Sequence, residues 1–165
     1  MNSKLTATTL RFHLNYDPIT GLFYRRLTGS TYKPGDLAGG RQTTGYIAIS
    51  VCGKMYYAHR LACLYMTGEW PATQLDHKNQ DRSDNRWDNL RIATHAQNNQ
   101  NKPVRADNTS GTAGVSWRKS HQLWQARITV SSREIHLGYF STKEAATAAR
   151  VIAAAKYHGE FATQD

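Results

Sequence analysis

The chain has 165 residues, 39% of them hydrophobic, with a mean hydropathy of −0.64, which allows one or two small domains with real cores. Lys and Arg number 21 against 12 Asp and Glu, a formal charge of +9 with a pI near 9.8, the balance of a protein that meets nucleic acid. The composition excludes a membrane span, since no apolar run reaches about 18 residues, and the N-terminal MNSKLTATTLRF has no apolar core for a signal peptide. No strongly amphipathic basic helix offers itself to a membrane surface either. The expected setting is therefore cytoplasmic. The only cysteines, Cys52 and Cys63, form no CxxC, so zinc is not expected and both are read as buried or half-buried thiols. Both halves are basic, with 13 basic against 7 acidic residues in 1–102 and 8 against 5 in 103–165.

Residues 5–14 (LTATTLRFHL) read as weakly helical at best, and Tyr16 to Gly21 as a turn built on Pro18 and Gly21. Leu22 to Leu27 reads as a strand carrying Arg25 and Arg26. A glycine-rich loop follows over 29–40, then strands at 45–51 and 55–58 around the tight turn Cys52-Gly53-Lys54. Residues 22–58 are thus expected to form one small antiparallel sheet. Its Arg25, Arg26, Arg41 and Lys54 are either DNA-facing or ordinary solubilising charge. Leu61, Leu64 and Tyr65 fall at helical spacing, so 60–67 is a helix stopped by Gly68 and Pro71. His59, just before it, has two readings: a contact to phosphate or to the site, or a structural histidine.

The chemistry concentrates in residues 76–98, DHKNQDRSDNRWDNLRIATHAQN. Asp76 and His77 are adjacent. A loop of charged and amide residues follows, then the alternating segment Asn89-Leu90-Arg91-Ile92. Thr94 and Gln97 stand three apart, as in a capping box, which starts a helix with Asn98 in its first turn. The order is strand, loop, strand, helix, converging Asp76, His77 and Asn98. That set suits phosphodiester hydrolysis: His77 titrates near neutrality and can be the base. Asp76 and Asn98 offer oxygen ligands, which suit one divalent cation, Mg²⁺ or Mn²⁺. Asn89 is placed to hold the loop closed. His95, three residues before Asn98, is an alternative ligand. Trp87 either packs in the core or stacks on DNA.

The order His77…Asn89…Asn98, with Asp76 before the histidine and Leu90 directly after Asn89, resembles the HNH endonucleases, the ββα-metal motif, and most of all their phage and intron-encoded homing branch. The stretch Ala58-His59-Arg60-Leu61-Ala62, then Gly68-Glu69-Trp70-Pro71, is similar to what precedes the motif there. The resemblance implies His77 as general base, Asp76 and Asn98 as metal ligands, Asn89 as loop-fixing, and products with 5′-phosphate and 3′-hydroxyl ends.

Residues 103–111 read as a linker, with Lys102 and Arg105 following the DNA backbone across it. Beyond it, 114–119, 123–130 and 134–140 read as three antiparallel strands, and Ser141 to Glu144 opens a helix that ends at Gly159. Ala145, Ala148, Ala149, Ile152 and Ala155 are expected to lie on the sheet. Alternation turns Val115, Trp117, Trp124, Ala126, Ile128, Ile135 and Leu137 toward the helix. It turns Ser116, Arg118, Gln125, Arg127, Thr129 and His136 outward, with Arg133 beside the tight turn. An uncovered basic sheet face can enter a major groove. The pattern WRK…LWQARI…HLGYF-STKEAA…HGEFA resembles the plant APETALA-type (ethylene-response-factor-like) DNA-binding domain, in the form fused to phage HNH nucleases. It departs from the plant pattern at Ser116 and His136, so plant target sequences do not transfer.

The fold class expected is α+β: a ββα-metal nuclease motif (75–101, within a domain of 1–102) buttressed by a small antiparallel sheet, then a three-stranded antiparallel sheet packed on one helix (112–165). The function expected is a site-preferring, metal-dependent DNA endonuclease of homing type acting on double-stranded DNA as a monomer or weak dimer, in a phage-infected bacterial cell. The rivals are a DNA-binding protein whose nuclease half has decayed, and an HNH enzyme of phage DNA processing.

Overall fold

In the computed structural model, which describes residues 4–101, 104, 108–131 and 133–162, the first element begins at a cap. The Thr6 hydroxyl accepts the Thr9 amide, and α1 runs over Ala7–His13 with Leu10 buried. This helix is firmer than the weak one its composition suggests, because Leu10 joins a core with Leu5, Leu14, Phe23, Leu61 and Leu64. The chain turns at once into β1 (Leu14–Asp17), which the sequence did not reveal: four residues are too few to show a period. β1 pairs antiparallel with β2 (Leu22–Arg25).

β3 (Gly40–Arg41), β4 (Ile47–Val51) and β5 (Lys54–Tyr57) form a separate antiparallel sheet in the order β3-β4-β5. The single sheet expected over 22–58 is therefore two, and an isolated bridge ties Tyr24 of β2 to Leu37 in the loop before β3. β2 finds its partner in β1 instead. α2 (Ala58–Thr67) buries His59, Leu61, Ala62, Cys63 and Leu64 and ends on Gly68 in the left-handed conformation. β6 (Gln74–His77) and β7 (Leu90–Ala93) make an antiparallel hairpin, and Trp87 packs against the core. Cys63 is buried, but Cys52, at a turn with φ of 50°, is exposed, contrary to expectation.

The chain divides between Ala93 and Thr94 into two compact units. This groups α3 (His95–Gln100) with the C-terminal unit, whereas the sequence reading groups it with residues 1–102. Thr94 and Gln97 form the full capping box. β8 (Val115–Arg118), β9 (Leu123–Val130) and β10 (Arg133–Phe140) form one antiparallel sheet with β9 central. α4 (Lys143–His158), capped by Thr142, covers one face. The mixed helix and small antiparallel sheets are the α+β class expected.

Two details of this unit correct the sequence reading. α4 buries Ala146, Ala153, Ala154 and His158 rather than the stripe of Ala145, Ala148, Ala149, Ile152 and Ala155; Ala149 is half-buried and Ile152 is 70% exposed. Alanines on every side leave several stripes equally small, and the sequence cannot choose among them. Trp117 is 44% exposed, lying at the sheet margin edge-on to Trp124 rather than under the helix.

Candidate active site and candidate DNA-facing sheet

Asp76 and His77 end β6, and both are buried. Register places Arg91 directly opposite Asp76 and Leu90 opposite His77. Arg91 Nε and Nη2 both donate to Asp76 Oδ2, at 2.9 and 2.7 Å. A guanidinium in a two-pronged contact fixes the carboxylate's orientation. Strand pairing alone sets this contact, and the alternation of Asn89 to Ile92 was the signal that could have found it.

The loop from Lys78 to Asn89 is laced shut. Asn89 is buried; its Oδ1 accepts the Asn79 amide at 3.1 Å, and its Nδ2 donates to Asn79 Oδ1 at 2.9 Å and to the Asp84 carbonyl at 2.8 Å. The Lys78 amide donates to the Asn89 carbonyl. Arg86 clamps the Asp84 carboxylate, and that hydrogen bond is the main reason the carboxyl lies below its usual range.

His77 meets Asn85, which sequence reasoning missed. His77 Nε2 lies 3.4 Å from Asn85 Oδ1, while Asn85 Nδ2 donates to the Ser83 carbonyl at 2.9 Å. A carbonyl only accepts, so the amide nitrogen must face Ser83 and the amide oxygen must face the ring. The hydrogen then sits on Nε2 and the lone pair on Nδ1. Asn85 is held in turn from the N-terminal hairpin: the Tyr16 hydroxyl donates to the Asn85 carbonyl at 2.7 Å and the Trp87 amide to the Pro18 carbonyl at 3.0 Å. Burial pushes the His77 imidazolium down from its ordinary range, against the Asn85 hydrogen bond and the charges of Asp76, Asp84 and Asp81. A neutral ring beside a carboxylate is the form of histidine that can accept a proton.

Aromatic rings wall the histidine. His59 stands edge-on to His77 at 5.2 Å, Tyr46 lies 5.9 Å from it, and Arg82 covers Tyr46. Burial first, then His77 and Arg60, push His59 down to about 3, and its Nδ1 is buried without a hydrogen-bond partner. His59 is a neutral wall of the site.

Asn98 lies in α3, in the C-terminal unit, its amide donating to the Thr94 carbonyl at 3.0 Å. His95 is exposed, with Nδ1 3.1 Å from Asn99 Nδ2. As donors, the Asp76 carboxylate and Asn98 amide are both hard oxygens, which fit a hard cation. Among the described residues no three His, Cys, Asp or Glu side chains gather to cage a metal.

The other expected DNA contacts lie apart in the chain. Arg25 Nη1 donates to the Ser50 carbonyl and the guanidinium covers Tyr32. Arg26 donates to the Arg11 carbonyl at 2.5 Å. On the sheet of the C-terminal unit, Ser116, Arg118, Gln125, Arg127, Thr129 and His136 share the face away from α4. Thr129 and Arg133 are exposed, and Arg127 pairs with Glu134 at 2.9 Å. Lys102 and Arg105 lie outside the described residues.

Residues 56–100 match the family model described as HNH endonuclease. Protein 3.8 of Escherichia phage T7 is 32% identical over 60 residues, which are 36% of this chain, and the match spans half the length of that relative. A solved structure titled "DNA binding and cleavage by the HNH homing endonuclease I-HmuI" aligns at 25% identity over 88% of this chain and 85% of that one, with a TM-score of 0.43. No helix among the described residues is long and apolar enough to cross a membrane.

Proposed function

We propose that this chain is a metal-dependent, site-preferring DNA endonuclease of homing type that hydrolyses one phosphodiester bond per visit. The observation that carries the reading is the β6–β7 hairpin, whose family match covers residues 56–100. It holds a buried carboxylate beside a buried imidazole kept neutral, with the connecting loop tied by Asn89.

His77 takes the proton of the attacking water on Nδ1, while Asn85 holds the Nε2 hydrogen and so fixes which nitrogen is basic. Asp76 and Asn98 would hold one divalent cation, Mg²⁺ or Mn²⁺. When bound, it stabilises the negative charge growing on the phosphate and the leaving 3′ oxygen. Arg91 orients Asp76 for that task. Asn89 keeps the loop from collapsing into the site, and the products carry 5′-phosphate and 3′-hydroxyl ends. A single site cuts one strand, so a monomer nicks and a double-strand break needs a second chain.

Residues 112–165 supply site preference as an APETALA-type domain, their uncovered sheet face entering the major groove. Arg118, Arg127, Thr129 and His136 meet DNA from there, and Arg133 from the end of its strand beside the tight turn. Arg25, Arg26, Lys102 and Arg105 add phosphate contacts that set position rather than sequence. The phage T7 relative supports a phage-infected bacterial cell as the setting.

The test is supercoiled plasmid carrying the gene's own flanking DNA, incubated with Mg²⁺, Mn²⁺ or chelator, beside His77→Ala. Open circles that need the cation and fall by about a hundredfold or more in the variant are expected. A salt-sensitive gel shift on that DNA with no cutting under any cation would replace this reading with a DNA-binding protein that has lost catalysis.

A further inference from the structure

The outward face of the C-terminal sheet holds a hydrogen-bond chain that runs across all three strands. Arg118 on β8 donates through Nε to Gln125 Oε1 on β9 at 2.5 Å, and Gln125 Nε2 lies 3.1 Å from His136 Nδ1 on β10. The guanidinium has only donors, so the Gln125 atom that faces it must be the oxygen. The amide's NH₂ therefore faces His136, Nδ1 must be the acceptor, and the ring hydrogen sits on Nε2, pointing away from the chain. One amide thus fixes both the pose of the arginine and the tautomer of the histidine.

Gln125 is only 9% exposed although it lies on the uncovered face. Its amide oxygen and nitrogen are both engaged inside the protein. A bulge between His136 and Gly138 shifts the register of β10, so that Tyr139 stands opposite Gln125 on the outward face, where strict alternation would have turned it inward. His136 leans on Tyr139 at 4.7 Å, and His121 stacks on the same ring at 4.7 Å and 12°. The histidine is held in plane by its hydrogen bond and from the side by an aromatic wall.

We propose that Gln125 does not read DNA but positions Arg118 and His136 as a coupled pair of donors, with Tyr139 as their wall, so that the sheet selects adjacent base pairs presenting acceptors in the major groove, guanine foremost. This rests on the reading that the outward sheet face meets DNA. The chemistry is one-sided: a guanidinium end and an Nε2–H both donate. Guanine offers N7 and O6, whereas cytosine offers an amino donor, so that arrangement favours the first and rejects the second. Gln125 itself, as a free side chain, would instead suit adenine.

Two measurements test it on the full chain carrying His77→Ala, which removes cutting. The first is the imidazole ¹⁵N spectrum of His136 without DNA. Hydrogen on Nε2 and a bare Nδ1 are expected, and hydrogen on Nδ1 would overturn the proposal. The second is selection from a random duplex library. Gln125→Leu should flatten two neighbouring positions together, each from a preference of about tenfold to within about twofold, while affinity for random duplex holds within about twofold. In an Arg118→Ala/His136→Ala background the same substitution should add nothing. Loss at one position only, no loss, or an undiminished effect in that background would make Gln125 either a reader or irrelevant, and the positioning role would fall. If Arg118→Ala/His136→Ala itself kept full preference and affinity, the sheet-face reading would fail instead.

Discussion

Asn89→Ala is the substitution whose consequence is best fixed by the geometry. Alanine removes three side-chain hydrogen bonds, to the Asn79 amide, the Asn79 side chain and the Asp84 carbonyl. Each is worth about 0.5–1.5 kcal/mol net, so the sum is about 3 kcal/mol. Asn89 is 6% exposed, so water cannot fully replace the lost partners. The competing restraint in the loop, the Arg86–Asp84 pair, has an arginine 47% exposed and contributes under about 1 kcal/mol. The amides, not the ion pair, hold the loop. Hydrogen exchange reads this locally. The Asn79 amide should lose its protection in Asn89→Ala, while the Lys78 amide, which donates to the Asn89 backbone carbonyl, should keep most of its own. Nicking should fall about ten- to a hundredfold, as for the loss of a residue that supports a metal site. Unchanged protection at Asn79 would refute the account of how the loop is held.

Three more outcomes are expected. His59 sits at about 3 in the folded chain against an ordinary 6.5, so the unfolded chain takes its proton first as pH falls. Its stabilising share is whole above about pH 6.5 and shrinks toward pH 3, by up to ~1.4 kcal/mol per unit, and His77 acts in the same sense. His59→Phe should therefore flatten the pH dependence of core-amide exchange in the N-terminal unit between pH 6 and 4 (roughly, from the same linkage); an unaltered slope would count against a buried neutral ring. Gly21→Ala should destabilise by about 3 kcal/mol, because Gly21 has φ of +74° and a Cβ there would lie 2.4 Å from the Arg86 nitrogen. A urea midpoint equal to the parent's would contradict that close approach. Arg127→Ala should weaken DNA binding evenly across sequences and reduce the salt slope by about one; a loss confined to one target base would make Arg127 a reader instead.

The sequence disclosed those parts of the fold that depend on local chemistry. Thr94 and Gln97 announce α3 because a capping box is a contact between near neighbours, and Gly68 ends α2 for a similarly local reason. Leu123 to Val130 is legible because eight residues suffice to show alternation. What stayed hidden depends on distant partners. β1 exists because β2 and the core accept it, and nothing within Leu14–Asp17 says so. Tyr139 faces outward because a bulge interrupts the period on which the sequence reading relies. In the site, Asp76, His77 and Asn89 stand out as residue types in order. Asn85 does not, since one more amide in an amide-rich loop carries no signal until the ring beside it is seen.

The grip of the N-terminal hairpin on the loop has a consequence for synthesis. The Tyr16 hydroxyl reaches an Asn85 carbonyl 69 residues further along the chain, and Gly21 lies against the same peptide. The ribosome releases the hairpin long before the loop, so the mould precedes what it shapes. Closing so long a span costs little more than closing a shorter one, because the entropy grows only with the logarithm of length. The peptide of Asn85, whose side chain meets His77, gains this second restraint only when the late contact forms. A nascent or truncated chain that lacks it carries the loop's residues without this restraint, so the loop reaches its full set of contacts only once the N-terminal unit is whole.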